Sequence, residues 1–277
     1  MCSEPYSVKT DQIEPETKRM IMAETIVMIH GMWGGGWYWE NYKNLLEQRG
    51  FQCHTPTLRH HDMDPNDHPD PGLGTTSLLD YARDLEVYIH NLDQKPFLMG
   101  HSMGGLLAQI LGARGLAKGL VLLTPASPRG INALNYSVIK SFWSVFARWG
   151  FWRKPHRLSF EASVYAMLHL LPAEDQKAAY DRFVYESGRA ASEIGFWLFD
   201  SRCASKVDHA NVSCPVLVVS GSEDRITPAA VVQKSANKYK ALSTYKEFEN
   251  HAHWVIGEPG WEEIAEFAAD WLKQISG

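Results

Sequence analysis

Residues 97–105 read Phe-Leu-Met-Gly-His-Ser-Met-Gly-Gly: an apolar run, then a serine between glycines, then the opening of a helical stretch. The five residues Gly100 to Gly104 fit G-x-S-x-G. They join a strand-like segment, Phe97–Gly100, to a helix-like one, Gly104–Arg114. The pattern has chemical meaning only in that setting. A sharp strand-to-helix turn presents the serine oxygen above the sheet, at a helix N-terminus whose dipole favours developing negative charge. Side chains at Gly100 and Gly104 would collide across such a turn, and the serine must accept a strained backbone. Ser102 is therefore the candidate nucleophile.

Outward from this turn, short apolar runs alternate with amphipathic stretches. Thr25–Ile29, Phe51–Pro56, Leu120–Leu123, Val216–Ser220 and Ser243–Phe248 join Phe97–Gly100 as expected strands. Trp37–Arg49, a segment starting near Ser77, Ala229–Tyr239 and Trp261–Ile275 are expected helices. Gly50 stops the first of these, and Ser77 with Asp80 has the capping-box spacing. Leu78, Tyr81, Ala82, Leu85, Tyr88, Ile89 and Leu92 repeat at helical period behind that cap. Repeated βα units with wholly apolar strands predict an α/β fold: a mostly parallel sheet of about six strands with helices on both faces. The alternation breaks at residue 126. Residues 126–206 are helical in texture with no strand expected, which predicts a helical cap inserted after the fourth strand. Such a cap lies over the carboxyl ends of the strands, where open α/β sheets bind ligands. The division is then an extension at 1–24, loosely docked or flexible, a core at 25–125 and 207–277, and the cap at 126–206.

A chain of 277 residues buries roughly 70–75% of its unfolded surface, enough for one large core. A net charge of −5 argues against a general nucleic-acid binder. Cys2, Cys53, Cys203 and Cys214 lack zinc-site spacing and read as free thiols in a reducing compartment. The N-terminus lacks the layout of a secretion signal, and Met20–Met32 is too short to span a bilayer. A cytoplasmic location is the expectation; the oligomeric state is left open.

A serine hydroxyl needs a base to become nucleophilic. Where such a turn is used, the chain order is serine, acid, histidine. The strand Val216–Ser220 leads into Gly221-Ser222-Glu223-Asp224-Arg225-Ile226-Thr227-Pro228, so Asp224 is the candidate acid and Glu223 the fallback. After the last strand, His251 and His253 both qualify as base, and periodicity does not separate them. The glycine-rich loop His30-Gly31-Met32-Trp33-Gly34-Gly35-Gly36-Trp37 can bring backbone N–H groups close to a ligand. With the N–H of Met103, that of Met32 would form an oxyanion hole; His30 reads as a loop anchor.

At these positions the chain resembles α/β-hydrolase-fold serine esterases and lipases, over nearly all of residues 25–275. Ile29-His30-Gly31 resembles that family's oxyanion loop, GHSMGG at 100–105 its nucleophile elbow, and Gly221–Pro228 its G-x-x-D-x-x-x-P acid loop. Ala252-His253-Trp254 resembles its Gly-His-aromatic segment, with Ala252 in place of the commoner glycine. The resemblance thus selects His253 over His251. Within the family, HGMWGGGW and the later TPTLR are similar to the plant methylesterase and hydroxynitrile-lyase branch, while GHSMGG is the form common in monoacylglycerol-lipase-like esterases. What this implies is hydrolysis of a small carboxylic ester with an apolar acyl or aromatic part, through a Ser-His-Asp catalytic triad and no cofactor. A same-fold lyase, carbon–carbon hydrolase or perhydrolase, or a slow-turnover ligand receptor, are the alternatives.

Two further stretches carry expectations. The loop His60–His68 is rich in Asp and His but fails the EF-hand pattern at Asp67 and Leu73, so a solvated loop without metal is expected. Between Ile131 and Phe160 there is no acidic residue, while Lys140, Arg148, Arg153, Lys154 and Arg157 alternate with large aromatics. Such a mixture marks either a surface that meets lipid head groups or a cap helix whose aromatics line the pocket. Trp33, Phe142, Trp143, Phe146, Phe196 and Trp197 are the expected pocket residues.

Overall fold

The computed structural model describes residues 23–276, so all but the last two residues of the expected extension at 1–24 lie outside the described residues. The chain opens with β1 (Thr25–Ile29), buried at every position. A 3-10 turn at Gly36–Trp39 leads into α1 (Glu40–Gln48), which Gly50 ends at φ 86°. There follow β2 (Gln52–His54), α2 (Leu78–His90), β3 (Phe97–His101), α3 (Met103–Ala113) and β4 (Leu120–Leu123). The cap contributes α4 (Tyr136–Phe146), β5 (Pro155–His156), α5 (Phe160–Ser163), α6 (Ala173–Asp181), β6 (Glu186–Ser187) and α7 (Gly188–Gly195). The core then resumes with β7 (Val216–Gly221), α8 (Ala229–Ala236), β8 (Ser243–Phe248) and α9 (Trp261–Ser276).

Six strands form one parallel sheet in the order β2-β1-β3-β4-β7-β8. The four inner strands are buried throughout because helices cover both faces, which is why they read as unbroken apolar runs. β8 is an edge strand and exposes Thr244, Lys246 and Glu247; charge on an edge discourages pairing with other chains. The capping box of α2 forms as read. Asp80 accepts the Ser77 N–H at 3.0 Å, and Ser77 Oγ accepts the Leu79 N–H at 3.2 Å. On α9, Ile264, Ala268 and Leu272 are fully buried in the core. Each of the two larger side chains contributes about 1.5–3 kcal/mol through that burial.

Three expectations are corrected. The cap does contain strand: β5 and β6 pair antiparallel, Pro155 with Ser187 and His156 with Glu186. Two-residue strands rich in polar side chains leave no alternation to read. The helix expected over Ala229–Tyr239 ends at Ala236 and continues as a 3-10 segment with Lys240 at φ 54°. The loop His60–His68 is not wholly solvated, because His61 is buried beneath the cap.

His61 explains how the cap is fixed to the core. Its Nε2–H donates to Glu186 Oε2 at 3.0 Å, and its Nδ1–H donates to the carbonyl of Arg59 at 2.9 Å. Both ring nitrogens face acceptors, so the ring is satisfied as an imidazolium. Burial alone would lower its pKa, but the facing Glu186 carboxylate outweighs this and raises it. Glu186 Oε1 accepts from Tyr81 Oη at 2.9 Å and from the Ser187 N–H at 2.6 Å. Burial pushes that carboxyl up, and His61 and the Ser187 N–H bring it below the usual range.

Candidate active site

The turn after β3 is built as tightly as its glycines suggest. A Cβ on Gly100 would lie 2.3 Å from the Gly104 carbonyl oxygen, and one on Gly104 would lie 2.0 Å from that of Ile29. Neither contact is survivable, so close approach rather than backbone freedom requires both glycines. Ser102 takes φ 54° and ψ −119°, a conformation that costs on the order of 1–3 kcal/mol. Trp33, Thr124 and Asn250, in the loops after β1, β4 and β8, also have positive φ. Strain is thus concentrated at the carboxyl ends of the strands.

The segments after β3, β7 and β8 bring three side chains into series. Ser102 Oγ lies 2.9 Å from His253 Nε2, and His253 Nδ1 donates to Asp224 Oδ2 at 2.7 Å. His253, Asp224 and Ser102 are all buried, Ser102 the least so. His251 turns the other way, its Nδ1 to Glu258 Oε1 at 3.0 Å, and the same oxygen accepts the Ala252 N–H at 2.8 Å. Glu223 is exposed. Of the sequence alternatives, the geometry therefore brings His253 and Asp224 to Ser102, and leaves His251 and Glu223 outside.

Asp224 is held by more than the imidazole. Oδ1 accepts the N–H groups of Ile226 and Thr227, each at 2.8 Å, and Oδ2 accepts the Thr227 hydroxyl at 2.7 Å. Burial would raise its pKa; His253 and the N–H and hydroxyl of Thr227 outweigh that and leave it below the ordinary aspartate range. The sequence reading missed Thr227, although a hydroxyl three residues after a candidate acid in a turn is a usable signal. His101 donates from Nε2 to the His253 carbonyl at 2.8 Å, and burial beside His253 lowers its pKa to about 3. His30 anchors its loop as expected: Nε2 accepts the Leu58 N–H at 3.0 Å, and Nδ1–H donates to the Gly31 carbonyl at 2.8 Å. Its pKa falls to about 3, mainly through burial. Both neighbours are thus neutral and add no positive charge against a protonating His253.

The serine opens onto an apolar cavity of about 620 Å³, mouth included, between the sheet and the cap. Its floor is Met32, Ser102 and Met103, and its walls include Leu134, Val138, Phe142, Phe146, Ile194 and Trp197. Neither the Met32 nor the Met103 backbone N–H donates to a protein acceptor among the described residues. Three expected pocket residues are elsewhere. Trp33 is buried behind the wall, its ring 5.6 Å from that of Phe142. Trp143 is 64% exposed, because it follows Phe142 by one residue and so leaves the inward stripe. Phe196 packs behind Phe146 with ring centroids 4.9 Å apart. The inward stripe runs 134, 138, 142, 146 at a spacing of four, a pattern that could have found Leu134 and Val138.

A model of the Alpha/beta hydrolase family matches residues 26–267. The chain belongs to this family. Methylesterase 18 of Arabidopsis thaliana is 35% identical to this hydrolase over 81 residues, a match spanning 28% of the present chain and 29% of that protein. Among solved structures, a monoacylglycerol lipase from Paleococcus ferrophilus superposes with a TM-score of 0.65 at 22% identity, covering 91% of this chain and 94% of its own. An Arabidopsis methylesterase gives 0.69 at 14% identity, with coverage of 91% and 99%. At such identities the likeness of these structures is one of fold.

Proposed function

We propose that this α/β hydrolase is a serine esterase that cleaves an uncharged carboxylic ester with an apolar acyl or aromatic part. The observation that carries the reading is the hydrogen-bonded series Ser102–His253–Asp224 opening onto an apolar cavity with two unengaged N–H groups at its floor. Ser102 Oγ attacks the carbonyl carbon while His253 Nε2 takes its proton. The Met32 and Met103 N–H groups receive the oxyanion, each at a cost of about 3 kcal/mol in the barrier if lost. Asp224 holds the tautomer and stabilises the imidazolium. His253 then gives its proton to the leaving alkoxide, and a water deprotonated by the same ring releases the acid from the acyl-serine. No cofactor is called for. The esterase and lipase names among the relatives support this class without specifying the ester.

The test is a p-nitrophenyl ester series from acetate to palmitate on the wild-type protein and Ser102→Ala. Hydrolysis by the wild type alone, with an optimum in chain length, is the expected result. A folded wild-type protein inert on every ester would remove the esterase reading, and a fully active Ser102→Ala would remove the nucleophile.

A further inference from the structure

We propose that the outer face of the cap is a docking surface for an anionic lipid bilayer. α4 is apolar on two sides. Val138, Phe142 and Val145 are buried inward, whereas Tyr136, Ile139 and Trp143 stand outward at spacings of three and four, 78%, 43% and 64% exposed. Large apolar and aromatic side chains grouped on an exposed surface mark a place where another molecule or a membrane is met. Beyond its end, Trp149 is 86% exposed. Across the cavity, Leu198 and Phe199 follow α7 at 70% and 87%. The contact of Phe146 with Phe196 and the shared lining residues Phe146 and Trp197 join the two segments around one cavity.

The charge of these cap segments selects the partner. Lys140, Arg148, Arg153 and Lys154 are exposed, and residues 131–160 hold no Asp or Glu in a chain of net charge −5. Among the described residues none of the four makes an ion pair, although Lys140 lies 3.9 Å from the ring of Tyr165. Tryptophan and tyrosine settle at the head-group level of a bilayer, and cations there are drawn to anionic lipid. A second copy of the chain would bring the same cations face to face, which electrostatics opposes. The proposal concerns binding and holds whether or not Ser102 is the nucleophile.

The probe is co-sedimentation of the full chain with phosphatidylcholine vesicles, with and without phosphatidylserine. Binding is expected to the phosphatidylserine vesicles, weakening as salt is raised. The double variant Trp149→Ser/Phe199→Ser should partition about tenfold less or weaker still. Arg148→Glu/Arg153→Glu should abolish the preference for phosphatidylserine. Both variants should turn over a short soluble ester at the wild-type rate, and Ser102→Ala should bind as wild type does. No binding at low salt, or binding unchanged in both double variants, would overturn the proposal. So would a dimer in sedimentation analysis that Trp149→Ser/Phe199→Ser dissolves, which would assign the face to a second copy.

Discussion

Replacing Glu186 separates the charge of the buried clasp from its hydrogen bonds. In Glu186→Ala, Tyr81 Oη, the Ser187 N–H and His61 Nε2 all lose their acceptor in a fully buried site. Removing one member of a buried ion pair costs about 3–5 kcal/mol. At about 2–4 °C per kcal/mol for chains approaching this size, the melting temperature should fall by about 6–20 °C. Glu186→Gln should be much milder. Its amide oxygen can accept from Tyr81 and Ser187, and its amide N–H can donate to a neutral His61 that keeps its Nδ1–H on Arg59. The two variants differ again in pH dependence. The pKa of His61 is raised on folding, so its stabilisation is full below the unfolded value of about 6.5 and is lost as pH rises through the folded value. The pKa of Glu186 is lowered, so its stabilisation is present above about 4.3 and is lost as pH falls. The stability difference between wild type and Glu186→Gln should therefore be largest between about pH 4.5 and 6.5 and shrink towards alkaline pH. Urea unfolding at a series of pH values measures it. A difference that stays flat from pH 5 to 9, or a Glu186→Gln as damaging as Glu186→Ala, would refute the ionic description.

Thr227→Val keeps the shape of the side chain but removes the hydroxyl from Asp224; kcat should fall about tenfold with KM unchanged, read from steady-state kinetics. His253→Ala should lower kcat/KM by about a thousandfold or more, whereas His251→Ala should lower the melting temperature through Glu258 and leave the rate of the folded enzyme near wild type. Gly195→Leu adds volume beside Phe146, whose ring already stands 3.6 Å from a Cβ built there; in the ester series its optimum should move to shorter acyl chains.

The sheet was legible because β1, β3, β4 and β7 are buried on both faces and so leave unbroken apolar runs. The turn at Ser102 was legible because a turn that tight tolerates few residue types. The choice of His253 over His251 came from resemblance, and the contact of His251 with Glu258 gives it a geometric reason. What stayed hidden depends on pairings distant in sequence. His61 and Glu186 are 125 residues apart, and each alone looks like a solvated charge. The pocket was half legible for a similar reason: aromatic content marks Phe142, Phe146 and Trp197 together with Trp33, Trp143 and Phe196, and only direction along the helix separates the cavity wall from its two outer sides.

The cap is held to the core very unevenly. Residues 155–193 are fastened at Glu186, by the Val184 N–H to the Trp33 carbonyl at 2.9 Å, by Ser187 Oγ to the Thr76 carbonyl at 2.6 Å, and by Glu193 to Ser77 and the Leu78 N–H. α4 makes no hydrogen bond or ion pair to the core among the described residues; it rests there on apolar contact alone. The fastened part is bonded to the carbonyl of Trp33, the neighbour of Met32, so moving it would disturb the backbone of the proposed oxyanion donor. α4 is thus held by apolar contact beside a part of the cap that hydrogen bonds tie to the core. On the proposed esterase reading, a cross-link pinning α4 to the core should change which esters are turned over without altering the chemistry that follows.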